Sequence, residues 1–290
     1  MTSHRVAPPF SIIIAAHNEA DVIGRCLDSL AAVAVDGSAH VIVVCNGCVD
    51  STADFARGRP GVTVVELSTA SKTAALRAGD REAVGGPRLY LDADVVMTAS
   101  AARAVARVLR GGKTLAARPP THFDTTHASW PVRRWYEIRQ QLPSISTALW
   151  GSGTYALSVA GRELFDEFPD IVSDDLFIDQ LIAADERVIV DTDPVTVHTP
   201  RRLADLLRIL NRSYRTQHEV GTGTAASPRV SSGQRSQITD LQNLLRRRPS
   251  QLMSVLVYMA VIAAARLRAR FVAPSVAWER DNSSRVGGRV

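Results

Sequence analysis

Short apolar, β-branched runs, Ser11–Ala16, His40–Cys45, Val62–Leu67 and Arg88–Leu91, alternate with stretches whose apolar positions recur at helical spacing. The intervening stretches predict helices. Glu19–Ala34 carries Val22, Ile23, Cys26, Leu27 and Leu30 on one face, Asp50–Arg57 opens on an Asp-Ser-Thr capping cluster, and Ser71–Ala83 is rich in alanine. This alternation predicts an α/β fold of βαβ units around a mainly parallel sheet. Ligands of open α/β sheets sit beyond the carboxyl ends of the strands, so the loops starting at His17, Asn46 and Asp92 are expected to converge on one crevice.

Beyond residue 112 the pattern loosens. A strand is expected at Thr114–Arg118, then a Pro/Thr/His-rich connection, an aromatic helix over Trp130–Gln141, a helix after Asp174-Asp175 and a strand at Val195–His198. Helices are expected over Leu203–His218, Arg235–Arg247 and Ser250–Arg270, whereas Gly221–Gly233, rich in Gly, Ser, Thr and Ala, reads as a flexible linker or lid. The implied organisation is an N-terminal arm (1–10), a main domain (11–220), the linker or lid (221–234) and a helical C-terminal extension (235–290).

Charge sharpens this division. Residues 1–200 carry 18 Lys/Arg and 24 Asp/Glu, whereas residues 201–290 carry 16 and 5, a net of +11. A basic end suits nucleic acid, an anionic membrane surface or a phosphorylated substrate. With 6% aromatic residues and no aromatics interleaved with the basic tail, nucleic acid is not expected as a partner. Leu252–Ala265 is uncharged and apolar but only fourteen residues long, where a spanning helix needs about twenty. It is expected to be a helix buried in the fold, or one lying on a membrane surface. Residues 1–10 show no signal-peptide pattern, and three clustered cysteines, Cys26, Cys45 and Cys48, do not make a disulfide framework. A cytoplasmic protein is expected, with peripheral contact at the inner membrane face as an option. Cys45-x-x-Cys48 lacks a second Cys or His pair at zinc spacing, so both are expected to be ordinary thiols.

Two acidic pairs carry the candidate chemistry. In Leu89-Tyr-Leu-Asp92-Ala93-Asp94-Val95 a strand ends in two carboxylates one residue apart, so one can reach a metal while the other takes a hydroxyl. In Ser173-Asp174-Asp175-Leu176 the carboxylates are either ordinary helix-start residues or a like-charged pair in which one pKa is raised toward that of a proton acceptor. Lys72 is one of only two lysines in an arginine-rich chain, which favours a specific role.

The ordered series Ser11-Ile-Ile-Ile-Ala-Ala-His-Asn-Glu19, Val43-Val-Cys-Asn-Gly-Cys-Val-Asp-Ser-Thr52, Ser71-Lys-Thr-Ala-Ala-Leu-Arg-Ala-Gly79, Leu91-Asp-Ala-Asp94 and Ser173-Asp-Asp175 resembles the motif set of family-2 glycosyltransferases over roughly residues 10–220. The resemblance implies the GT-A fold, a nucleotide-diphosphate sugar donor with UDP as the default, a divalent metal (Mn²⁺ or Mg²⁺) and inversion at the anomeric carbon. By the same resemblance the backbone of Ala15, Ala16 and His17, together with Glu19, holds the nucleoside, and Asn46 and Lys72 contact its base. Asp92, with Ala93, meets the ribose or diphosphate, Asp94 binds the metal, and His198 resembles a further metal ligand. Arg201 and Arg202 suit neutralisation of the diphosphate. Asp175 matches the general base, with Asp174 orienting acceptor or base, and Trp150-Gly151-Ser-Gly153 lies where the family closes the donor site, Trp150 stacking on a sugar or acceptor ring.

Departures from the pattern are Ala15 for the usual proline of the first motif, Cys45-Asn46 for the usual acidic pair of the second, and the absence of Q-x-x-R-W. With no predicted spanning helix, this absence favours single additions by a hexosyltransferase-type enzyme over polymer extrusion. The acceptor is expected to be a hydroxyl on a lipid-linked or small-molecule substrate. The alternatives are a sugar-nucleotide-binding protein without activity and a nucleotidyltransferase. The latter lacks its Gly-rich, basic first loop here, and both acidic pairs speak against the former.

Overall fold

A computed structural model describes residues 10–171, 173–222 and 230–271. The strands are β1 (Phe10–Ala16), β2 (Ala39–Asn46), β3 (Val62–Leu67), β4 (Arg88–Asp92), β5 (Ala116–Arg118), β6 (Thr121–Asp124), β7 (Thr154–Leu157), β8 (Arg187–Ile189) and β9 (Val195–His198). The helices are α1 (Ile23–Val35), α2 (Thr52–Arg57), α3 (Lys72–Glu82), α4 (Ala99–Arg110), α5 (Trp130–Arg139), α6 (Pro143–Ser146), α7 (Val159–Arg162), α8 (Asp174–Leu181), α9 (Leu203–Thr222), α10 (Val230–Arg247) and α11 (Leu252–Phe271). The expected β1–β4 and α1–α3 are all present. The sequence reading did not anticipate α4, β7 or β8, and β6 falls in what was read as a connection.

The chain forms two compact units: residues up to His122 join Leu149–Val197, and Phe123–Ala148 joins the chain from His198 onward. This division differs from a main domain over 11–220. Phe123–Ala148 and α9, expected inside that domain, group instead with the C-terminal helices, because α5 and α9 pack on α11. The expected arm 1–10 and the middle of the expected linker, 223–229, lie outside the described residues apart from Phe10. Residues 221–222 end α9, and 230–234 begin α10.

The first unit is built on a seven-stranded sheet of order β3-β2-β1-β4-β7-β5-β8. β1, β2, β3 and β4 run parallel, β7 is antiparallel to both β4 and β5, and β8 is parallel to β5. The period-2 alternation of β1 sends Ile12, Ile14 and Ala16 into one core with Cys26, Leu27 and Leu30 of α1 and Val105 and Leu109 of α4. Ile13 enters the opposite core with Ala75 and Leu76 of α3, Tyr90, Tyr155 and Phe168. Both faces of the sheet are covered, which is why these strands read as nearly continuous apolar runs.

In the second unit α11 packs against α5 and α9, with Tyr258 stacked on Trp135 at 5.7 Å between ring centres. The apolar helix is longer than the uncharged run suggested. Pro249–Arg268 spans 20 residues with a mean hydropathy of 1.6, so by length and composition it could cross a membrane, contrary to the sequence expectation. The excess length comes from Pro249–Gln251, which starts the helical path, and from Arg266–Arg268, which continues it past the last uncharged residue.

Candidate active site

The strand order reverses direction between β1 and β4, the topological switch point at which open α/β sheets leave a crevice. Register places Ala15 beside Asp92 at the carboxyl ends of these two strands. Because β7 is antiparallel, its beginning lies at the same end, with Thr154 beside Leu91. The Trp150–Gly153 loop that leads into β7 is thereby delivered to the carboxylates of β4, and the Asp92 N–H donates to the Gly153 carbonyl at 2.8 Å. Gly153 has φ of +67°, and a Cβ there would stand 2.5 Å from Val95 Cγ2 and 3.5 Å from Asp92 Oδ2. A side chain is excluded both by backbone conformation and by space.

Lys72 is the first residue of α3, whose start is fixed by Ser71 accepting the Ala74 N–H at 3.2 Å. From there its Nζ bridges two motifs distant in sequence, Asp92 Oδ1 at 2.8 Å and Asp174 Oδ1 at 2.9 Å. Burial opposes the lysine's charge, but Asp174, Asp92 and Asp175 outweigh it and hold the pKa above the usual lysine value. Asp174 is 3% exposed, and its second oxygen accepts the Tyr155 hydroxyl at 2.8 Å. Both of its oxygens are therefore engaged by the protein. Expected to orient the acceptor or the base, Asp174 holds Lys72 and Tyr155.

Asp175 follows in the first turn of α8, where a helix N-terminus favours negative charge. Its Oδ2 accepts the Gly151 N–H at 2.7 Å, and its Oδ1 accepts the Ser173 hydroxyl at 2.7 Å and the Leu176 N–H at 2.8 Å. Burial, then the Asp174 charge, raises the Asp175 pKa against the pull of Lys72 and the hydrogen bonds from Gly151 and Ser173. Burial likewise raises Asp92, with Asp94 and Asp174 adding repulsion and Lys72 opposing. One turn along α8, Asp179 accepts the Leu149 N–H at 2.7 Å and pairs with Arg187 at 2.5 Å. Two carboxylates of one helix thus hold the backbone on both sides of Trp150.

The nucleoside-side residues are placed less uniformly. The His17 Nδ1–H donates to the Asn46 carbonyl at 2.6 Å, and Asn46 Nδ2 donates to the Ala16 carbonyl at 2.8 Å, tying the ends of β1 and β2 together. Asn46, expected at the base, is 1% exposed and serves this clamp. Glu19 is 8% exposed and sits at the entry to α1, its carbonyl accepting the Val22 and Ile23 N–H groups. Ala93 is buried in the turn after β4. Cys45 and Cys48 are free thiols, and burial first, then Cys48, pushes the Cys45 thiol up to about 12.

His198, Arg201 and Arg202 belong to the second unit. His198 Nδ1 lies 3.1 Å from Asp124 Oδ2, the Arg201 carbonyl accepts the Ser129 N–H, and Arg202 caps the start of α9 through its carbonyl. Among the described residues no three His, Cys, Asp or Glu side chains are grouped to hold a metal ion. Asp92 and Asp94 nevertheless suit a hard cation. Both offer carboxylate oxygens, their mutual repulsion shows in Asp92, and Mg²⁺ at nucleotide sites takes one or two carboxylates with substrate phosphates supplying the rest. Sequence reasoning missed Tyr155, Leu76 and Thr154, which line the pocket with Lys72, Asp92 and Asp175. For Thr154 and Tyr155 the one signal was the apolar run after the Gly-Ser-Gly turn, and for Leu76 its place in the alanine-rich helix that Lys72 begins.

The family model "Glycosyltransferase like family 2" matches residues 8–178. Among solved structures, the mannosyltransferase PcManGT from Pyrobaculum calidifontis, in complex with GDP-Man and Mn²⁺, superposes with a TM-score of 0.62 at 17% identity, covering 92% of this chain and 90% of that one. Glucosyl-3-phosphoglycerate synthase from Mycobacterium tuberculosis, with Mg²⁺ and UDP, gives 0.53 at 20% identity over 75% and 80% of the two chains. S. aureus TarS 1-349 with UDP-GlcNAc gives 0.51 at 13% identity over 90% and 81%. No curated protein matches in sequence. The order of strands, the carboxylate-bearing switch point and the family match agree: the chain belongs to glycosyltransferase-like family 2 and is a glycosyltransferase of the GT-A fold.

Proposed function

We propose that the protein transfers a single sugar, with inversion, from a nucleoside-diphosphate sugar to a hydroxyl of a lipid-linked or small-molecule acceptor, with UDP-sugars the first donors to test. The observation carrying this reading is the bridge of Lys72 between Asp92 and Asp174, which joins the end of β4 to the start of α8. Asp94 would hold a divalent cation, Mn²⁺ or Mg²⁺, as the complexes of the mannosyltransferase and the phosphoglycerate enzyme do in their own sites. Such a cation offsets charge on the departing diphosphate.

The chain's own groups do the rest. Asp92, fixed by Lys72, meets the ribose or diphosphate, and the Ala15 and Ala16 backbone flanks the nucleoside. Asp175 takes the acceptor proton: among the described residues Oδ2 accepts one hydrogen bond, from the Gly151 N–H, which leaves a lone pair for the hydroxyl. The acceptor oxygen then bonds to the anomeric carbon while the sugar–diphosphate bond breaks, its electron pair leaving with the nucleoside diphosphate. The raised Asp175 pKa makes it a stronger base than an ordinary carboxylate. Trp150, on a loop held at Leu149 and Gly151, is suited to stack on sugar or acceptor.

The test is a panel of UDP-, GDP- and dTDP-sugars with Mn²⁺, Mg²⁺ or chelator, read by thermal shift and donor hydrolysis, on wild type and Asp94→Ala. One donor stabilising or hydrolysing only with metal, and only in wild type, is expected. A panel in which no nucleotide sugar binds with either metal defeats the proposal, whereas a donor that stabilises the protein but is never hydrolysed or transferred favours a sugar-nucleotide-binding protein without activity.

A further inference from the structure

The outward side of α11 is apolar and left uncovered by the described residues. Leu252, Met253, Leu256, Met259 and Leu267 are 45 to 62% exposed, and Ala260, Ala263 and Ala264 between them are exposed as well. At spacings of three and four residues these side chains form one stripe along about 22 Å of helix. The opposite stripe, Val255, Tyr258, Val261, Ile262 and Ala265, is buried, in a helix packed on α5 and α9. A helix apolar all round is the pattern of one covered on every side, and here the described residues cover only one. A contiguous exposed apolar stripe marks an interaction surface.

Charge at the two ends identifies what covers it. Arg246, Arg247 and Arg248 stand exposed just before the stripe, and Arg266 and Arg268 stand exposed at its far end. From Leu241 to Trp278 the chain carries six arginines and no Asp or Glu. A second copy of the chain would bring arginines against arginines whether the two helices crossed parallel or antiparallel. An anionic bilayer suits both features, since leucine and methionine reach the acyl boundary while guanidinium groups remain among the phosphates. The packing of the opposite face on α5 and α9 favours a helix lying in the plane of the surface over one crossing the bilayer alone.

We propose that the outward stripe of α11 docks the protein in the plane of a bilayer that carries anionic lipid headgroups. The inference does not depend on the transferase reading, and its assay contains no donor, so failure of either leaves the other standing. The full chain is sedimented with phosphatidylcholine vesicles with and without phosphatidylglycerol, at low and high salt. Wild type is compared with L256Q/M259Q and with R246Q/R247Q/R248Q, with thermal melting used to check that each variant is folded.

Binding is expected only to the phosphatidylglycerol vesicles and is expected to weaken with salt. It should be lost in L256Q/M259Q and fall roughly fivefold for each arginine removed. The proposal is overturned by no vesicle binding, by equal binding to both vesicle types, or by binding that neither variant reduces. A dimer in sedimentation that L256Q/M259Q dissociates, without vesicle binding, would instead assign the stripe to a second copy.

Discussion

Replacing Lys72 by methionine keeps an unbranched stem of similar length and deletes the charge that two carboxylates share. The two halves of the bridge are unequal. Asp92 is 42% exposed, and solvent screening leaves its pairing of little worth to stability. Asp174 is 3% exposed and, among the described residues, accepts the Lys72 ammonium and the Tyr155 hydroxyl, so Lys72→Met strands a buried charge. Removing one partner of a buried pair costs about 3–5 kcal/mol, and the lower end applies here because Tyr155 still donates. At about 2–4 °C per kcal/mol for a unit of this size, melting should fall by roughly 6–12 °C at neutral pH.

The pH dependence fixes the mechanism. The folded pKa of Lys72 is raised, so its contribution is complete below the ordinary lysine pKa and is lost only as pH climbs through the folded value, well above neutrality. Asp92 and Asp175 have raised folded values, so each favours the folded state less as pH rises through them. Without Lys72 their repulsion grows. The deficit of Lys72→Met should be largest at about pH 8 and shrink toward about pH 5, where carboxylates begin to take up protons. Thermal melting of both proteins across this range, with urea unfolding beside it, is the assay. A variant melting within about 1 °C of wild type at pH 8, or a deficit independent of pH, would refute the reasoning.

Gly153→Ala forces a side chain into the positive-φ position beside Asp92 and against Val95, and should lose about 1–3 kcal/mol in denaturant unfolding together with donor-induced stabilisation. Unchanged unfolding would mean that the loop can move aside. Asp175→Asn should cut transfer by about 10²–10⁴-fold and abolish the rising limb of the pH–rate profile, which in wild type should lie above the ordinary carboxylate range. A retained limb would assign the proton to another group. Tyr155→Phe removes one donor to Asp174 and should cost about 1–3 kcal/mol in stability, with the substrate KM nearly unchanged because Lys72 still holds that carboxylate. A large KM change would place Tyr155 against the substrate.

Local signals carried much of this protein. The apolar runs of β1–β4, the alanine-rich α3 behind its Ser71 cap and the acidic pairs at Asp92/Asp94 and Asp174/Asp175 are each written within a few residues, and periodicity and capping suffice to read them. Strand β7 was not legible, because four residues after a glycine turn carry too little periodicity, and its antiparallel direction depends on which strand it pairs with. That direction alone brings Gly151 and Gly153 to the carboxylates. The pairing of Lys72 with Asp174, across about a hundred residues, likewise follows from the meeting of the ends of α3 and α8, and the burial of Asn46 from β1 and β2 lying side by side. In α11, hydrophobicity on every side gave no face to prefer, since packing energy and not pattern selects which stripe α5 and α9 cover. The sequence thus determined β1–β4, α1–α3 and the candidate carboxylates, whereas register, strand direction and helix packing, which are non-local balances of burial and hydrogen bonding, decided which of those groups touch.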